Sequence, residues 1–272
     1  MTRRPWTLFS VMVLGYAFLY VPILSLIVYS FNESRLVTVW SGFSTRWYAE
    51  LWHNEQILSA AWLSLSIAAV NATVAVVLGT LAAVALTRFA RMPGRMLFSA
   101  MITAPMVMPE VITGLASLLL FVGLENAIGW PGGRGAATIT IAHITFSMAY
   151  VTVVVRSRLL HMDPALEEAA MDLGARPAKT FFVITLPLLA PALLAGWLLA
   201  FTLSIDDLVI TSFVSGPGAS TLPMVVYSSV RLGVSPQINA LATILVGLVF
   251  LAVIVAGWVM GRKDERGQRP SP

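Results

Sequence analysis

Three carboxylates stand inside or beside long apolar runs of this sequence: Glu110 within residues 97–122, and Asp206 and Asp207 toward the end of residues 188–214. An acid near the centre of a membrane helix costs roughly 2.5 to 3.5 kcal/mol to insert, so three of them imply a functional demand or compensating partners. Neither run contains a Lys or Arg to neutralise them. The chemistry on offer is the binding of a passing cation or the lining of a wet pore.

Spacing sharpens this for the second run. Ser204, Asp207, Thr211 and Ser215 follow at steps of three, four and four, which places one polar stripe on a single face of a continuous helix. Asp206 then points about 100° away from Asp207. Glu110 follows Pro105 and Pro109, which remove backbone donors and kink a helix where freed carbonyls can face a cavity. For all three acids the alternative is interhelical hydrogen bonding without contact to a solute. His143 and Ser147, four apart, could suggest an intramembrane hydrolase, but no third orienting acid or nucleophile elbow accompanies them, and interhelical bonding is the simpler role. Adjacent Asp206 and Asp207 diverge on a helix and make a poor proton-sharing dyad. Trp47 sits with Tyr48, Leu51 and Trp52 on one side of a short helical pattern. It is either an interfacial anchor or a ring face for a cation.

The elements that must hold these groups are membrane helices. Of the 272 residues 58% are hydrophobic and 11% charged, and mean hydropathy is +0.84, too apolar to cover a soluble surface. Six spans are expected, at about 8–29, 57–86, 97–122, 137–155, 188–214 and 238–260, giving an all-α polytopic fold with one transmembrane domain over 1–272. Cysteine is absent, so no disulfide or thiolate metal site is available, and no metal is expected.

Charge placement gives a topology. All of the 17 cations except Arg35, Arg46, Arg134 and Arg231 fall on one side of the predicted spans, which puts both termini and the loop at about 159–187 in the cytoplasm. The formal charge of +4 is thus a topological bias with no nucleic acid to explain.

That loop is the most specific segment. Residues 167–187 read EEAAMDLGARPAKTFFVITLP, with Glu168, Ala169 and Ala170, then Gly174, then Ile184, Leu186 and Pro187. Asp163 suits an N-cap, Pro164 a first helical position and Gly174 a left-handed stop, while Pro177 can begin a second short helix. Gly174 to Thr180 superficially matches a phosphate loop, but the Gly before the Lys is missing, so the chain itself is not expected to bind ATP.

The pattern E-A-A, three residues, G, nine residues, I-x-L-P resembles the signature of permease subunits of binding-protein-dependent ABC importers. Residues 31–52, 104–115 and 199–224 are similar to the polyamine-importer permeases, in particular those serving putrescine. The resemblance implies the MetI-like permease fold, import across a bacterial inner membrane, and a helix pair that docks in a cleft of a motor protein, with Glu168 orienting it. It also implies a second homologous permease subunit, two ATPase subunits carrying the ATP and Mg, and a periplasmic polyamine-binding protein. Spermidine or another solute is the alternative cargo. A secondary cation transporter and an intramembrane hydrolase are the rival classes.

Overall fold

A computed structural model describes residues 5–35, 39–89, 91–233 and 235–267, with the backbone alone at 5, 232, 252, 253 and 255–267. Arg3, Arg4 and Arg269, used above for topology, lie outside the described residues, as do the side chains of Trp258, Arg262, Lys263 and Arg266.

In chain order the helices are α1 (Pro5–Tyr29), α2 (Arg46–Trp52), α3 (Glu55–Arg88), α4 (Arg95–Val107), α5 (Glu110–Ile128), α6 (Ala136–Leu160), α7 (Ala165–Asp172) and α8 (Pro177–Thr180). A π-helical turn, Phe181–Thr185, leads into α9 (Leu186–Ile205), followed by α10 (Val209–Val214), α11 (Leu222–Leu232) and α12 (Pro236–Gly267). The fold is all-α, and the one β feature among the described residues is an isolated bridge between Asn32 and Phe43. Five stretches are long and apolar enough to cross a bilayer: Trp6–Tyr29, Glu55–Arg88, Glu110–Ile128, Ala136–Leu160 and Pro177–Ile205. Pro236–Leu251 is a shorter apolar helix segment.

Two predicted spans are interrupted. The run 97–122 divides into α4 and α5, because Pro109 has no N–H and pushes the residue before it out of the α region: Met108 adopts φ −75° and ψ 141°. Glu110 therefore opens α5 and does not sit in mid-helix. Pro105, by contrast, is carried inside α4. The run 188–214 breaks at Asp206–Leu208, where short polar side chains compete with the helix for backbone groups.

The chain forms two compact units, Met1–Leu58 with Val226–Pro272, and Ser59–Val225. In the first, α12 packs on α1 and α2. Gln237 accepts from Asn54 Nδ2 at 2.9 Å and donates to Glu50 at 3.1 Å. Leu8, Phe9, Leu14 and Phe18 of α1 are exposed, as a helix facing lipid requires. In the second unit, α6 is the central helix. It packs on α9, and Ala72, Ala75 and Ala83 of α3 share a core with Val151, Val155, Leu159, Leu189 and Ala200. Small residues let the backbones approach: a Cβ on Gly79 would lie 2.8 Å from Val151 Cγ1 and 3.2 Å from the Met148 carbonyl. A second cluster joins Ile67, Phe121, Ile139, Phe146, Ile210 and Val214, and so fixes α10 against α5 and α6.

Candidate functional site

At the gap between α9 and α10 the polar side chains converge on α6. Asp207 caps α10: its Oδ1 accepts the Ile210 N–H at 3.2 Å and its Oδ2 accepts the Thr211 N–H at 2.8 Å and the Thr211 hydroxyl at 2.7 Å. His143 reaches the same carboxylate through Nε2 at 3.1 Å and lies 3.0 Å from Thr211 Oγ1, while its Nδ1 is 2.7 Å from Ser204 Oγ. A carboxylate only accepts, and the Thr211 hydroxyl hydrogen is already directed at it. The proton facing Asp207 therefore belongs to Nε2. Side chains of His143 and Asp207 are only 3% and 7% exposed.

Ser204, Asp207 and Thr211 thus do share one site, but not as a stripe on a continuous helix. The chain turns at Asp206–Leu208, and the three are gathered by the cap on α10 and by His143. Ser215 ends α10 in an extended conformation, its N–H donating to the Thr211 carbonyl at 2.8 Å. Asp206 and Glu110 behave differently: both are exposed, and neither has an ion-pair partner among the described residues. Glu110 also lies in the first turn of α5, where a helix N-terminus favours negative charge.

One turn further along α6, Ser147 belongs to a separate contact. Asn71 of α3 donates through Nδ2 to Ser147 Oγ at 3.1 Å and to the Ala200 carbonyl at 2.9 Å, linking α3, α6 and α9. Nothing in the sequence marks Asn71, one of several polar residues in the apolar run 57–86, as such a link. His143 and its partners Ser204, Asp207 and Thr211 are each legible as polar residues in apolar runs, but their meeting across 61 to 68 residues is not.

Trp47 lies in the other unit. It is 3% exposed, its Nε1 donates to the Asn32 carbonyl at 2.6 Å, and the Arg46 guanidinium sits 4.2 Å from its ring centre. A ring face free to meet a cation is not what this conformation presents, because a cation of the chain already covers it.

The loop between α6 and α9 folds as two short helices. Asp163 Oδ1 accepts the Ala165 N–H at 3.0 Å, Gly174 takes φ +84° and ends the first helix, and Pro177 starts the second. Glu168 and Ala169 are exposed, Ala170 is half-buried, and Leu173 is 91% exposed. Ile184 lies in the π turn, and Leu186 and Pro187 begin α9. The acid that contacts the body of the protein is Glu167, which pairs with Arg88 and accepts from Thr185.

Apolar helices of bilayer length, two of the predicted spans broken beside acids, and a charged helix-turn-helix loop define a polytopic membrane permease. The family described as binding-protein-dependent transport system inner membrane component matches residues 75–266. The chain is 60% identical over 264 residues to the putrescine transport system permease protein PotI of Escherichia coli (strain K12), covering 97% of this chain and 94% of that one. It is 44% identical over 253 residues to the spermidine/putrescine transport system permease protein PotC of the same strain, covering 93% and 92%. A bacterial ABC transporter involved in the import of the acidic polysaccharide alginate superposes with a TM-score of 0.74 at 17% identity, over 95% of this chain and 96% of that one. This chain belongs to the binding-protein-dependent inner membrane permease family.

Proposed function

We propose that this chain is one permease subunit of an ATP-driven importer that carries putrescine from the periplasm to the cytoplasm. The observation that carries this reading is the 60% identity to a putrescine permease over nearly the whole chain. The geometry agrees with a cationic cargo. Glu110 and Asp206 are exposed carboxylates at the two breaks, without an ion-pair partner among the described residues, and they are the pathway contacts in this reading. Asp207, Ser204 and Thr211 hold the wall behind Asp206, and Trp47 anchors α2 through its bond to the Asn32 carbonyl.

The chain acts as one six-span domain with both termini cytoplasmic. Its coupling loop, with Glu168, Ala169 and Gly174 outward, Ala170 half-buried, and Ile184, Leu186 and Pro187 at its root, docks on an ATPase subunit. Exposed Leu166, Met171 and Leu173 on a short helix support such docking. ATP and Mg reside on two such subunits; a homologous permease completes the pathway, and a periplasmic polyamine-binding protein supplies it.

The test is uptake into vesicles by the reconstituted complex, with and without ATP, offered putrescine, spermidine, ferric ion and sulfate. ATP-dependent accumulation led by putrescine is the expected result. Accumulation indifferent to nucleotide would replace the reading with a secondary transporter.

A further inference from the structure

Glu167 ties together three elements that are distant in sequence. Its Oε1 accepts from the Arg88 guanidinium, at the end of α3, at 2.5 Å and from Thr185 Oγ1, in the π turn, at 2.8 Å. The Glu167 side chain is 17% exposed and that of Arg88 31%, so the acid is held mostly under the surface while the arginine reaches it from the solvent side, and a charge-assisted bond joins them. Around them lies a cleft of about 280 Å³, walled by Val84, Leu159, Met171 and Phe181 among others. Close packing does not fill this space; a polar bridge crosses it. Meanwhile α7 buries none of its own residues. A short helix without a buried face is located by its ends and its polar ties, and Glu167 is the residue of α7 that carries those ties.

We propose that Arg88, Glu167 and Thr185 form a strut that makes α7 move as one body with the end of α3 and the foot of α9, so that Glu167 is a positioning residue of the transport cycle. The proposal rests on reading the loop as the docking element of a motor. Glu168 projects about 100° round the helix from Glu167 and stays exposed. The two adjacent acids thus have separate tasks, one facing outward and one fastened inward. Thr185 belongs to a π turn, a widened segment where helical register can shift, and its bond to Glu167 ties that turn to the loop. With the strut cut, the motor still turns α7, but the displacement is absorbed in the cleft.

The experiment uses the complete complex with its ATPase subunits and binding protein in vesicles, and measures amine accumulated per ATP hydrolysed. Glu167→Gln and Arg88→Met are expected to lower that ratio by about fivefold or more, within the span of typical coupling effects, while hydrolysis and co-purification of the ATPase subunits persist. The exchanged pair Arg88→Glu with Glu167→Arg restores most of the ratio, which a general loosening of the fold would not allow. Thr185→Val keeps the ion pair and guards against misfolding of the charge variants; a partial loss is expected of it. An unchanged ratio in assembled Glu167→Gln and Thr185→Val complexes overturns the strut alone. Failure of the unaltered complex to couple hydrolysis to uptake overturns the functional reading itself.

Discussion

Nε2 of His143 faces Oδ2 of Asp207 at 3.1 Å across the break between α9 and α10. The contact turns an acid in an apolar run into a cap for the next helix, and it leaves neighbouring Asp206 as the carboxylate presented outward.

Removing either half of the buried pair takes one bond from a group that keeps others, Asp207 from Ile210 and Thr211 and His143 with Ser204 and Thr211. His143→Ala and Asp207→Asn are each expected to destabilise the protein by about 1 to 3 kcal/mol, the usual cost of a lost hydrogen bond to a buried charged or polar group. Thermal unfolding of the detergent-solubilised complex checks this. Asp206→Asn, at an exposed site, should leave the melting temperature in place and depress uptake.

Glu110 has a more direct task in the proposed function. Glu110→Gln keeps shape and hydrogen bonding but deletes the charge that a diamine would meet at the start of α5. The amine concentration for half-maximal uptake should rise about tenfold, equivalent to about 1.4 kcal/mol. Assays at graded putrescine concentrations decide it, with complex yield as the control.

Packing between α5 and α10 depends on a missing side chain. A Cβ on Gly114 would lie 2.7 Å from Phe213 Cδ2 and 3.2 Å from Ile210 Cα, and the backbone atom cannot step aside. Gly114→Val is expected to cost about 1 to 3 kcal/mol through overpacking, read as reduced yield and a lower melting temperature. Gly123, on the same helix with nothing within 4 Å, should accept Ala without penalty.

Gly174 tests the loop. At φ +84° a Cβ is strained by about 1 to 2 kcal/mol even though open space surrounds the residue. Gly174→Ala should weaken capture of the ATPase subunits and cost the isolated chain no more than that strain. Pull-down of the assembled complex reports the first, and the melting curve the second.

Much of this was legible from local chemistry. Apolar length marked most of the spans, and Asp163, Gly174 and Pro177 marked where the loop helices start and stop, because caps and left-handed turns act within a few residues. The break at Pro109 was legible as a kink, since proline acts on its own neighbours. What the sequence hid was long-range. The step pattern of Ser204, Asp207 and Thr211 correctly grouped three residues through an incorrect assumption, an unbroken helix; their actual meeting point, His143, lies on another element. Glu167 and Glu168 are chemically identical in the sequence, and only the fold, by bringing Arg88 and Thr185 alongside, distinguishes them.

The junction at Met108 has a mechanical property of its own. Elsewhere in a helix, rotating about one backbone bond sacrifices the hydrogen bond of the next amide, but Pro109 has no amide hydrogen to lose. Met108 still donates to the Ala104 carbonyl at 3.0 Å, which keeps the preceding turn wound. Swivelling α5 relative to α4 therefore ruptures no bond at Pro109 itself, whereas swivelling α10 relative to α9 must tear Asp207 from its imidazole. Of the two discontinuities, one is held by the packing of α5 on α10 and the other is also latched by a side-chain bond.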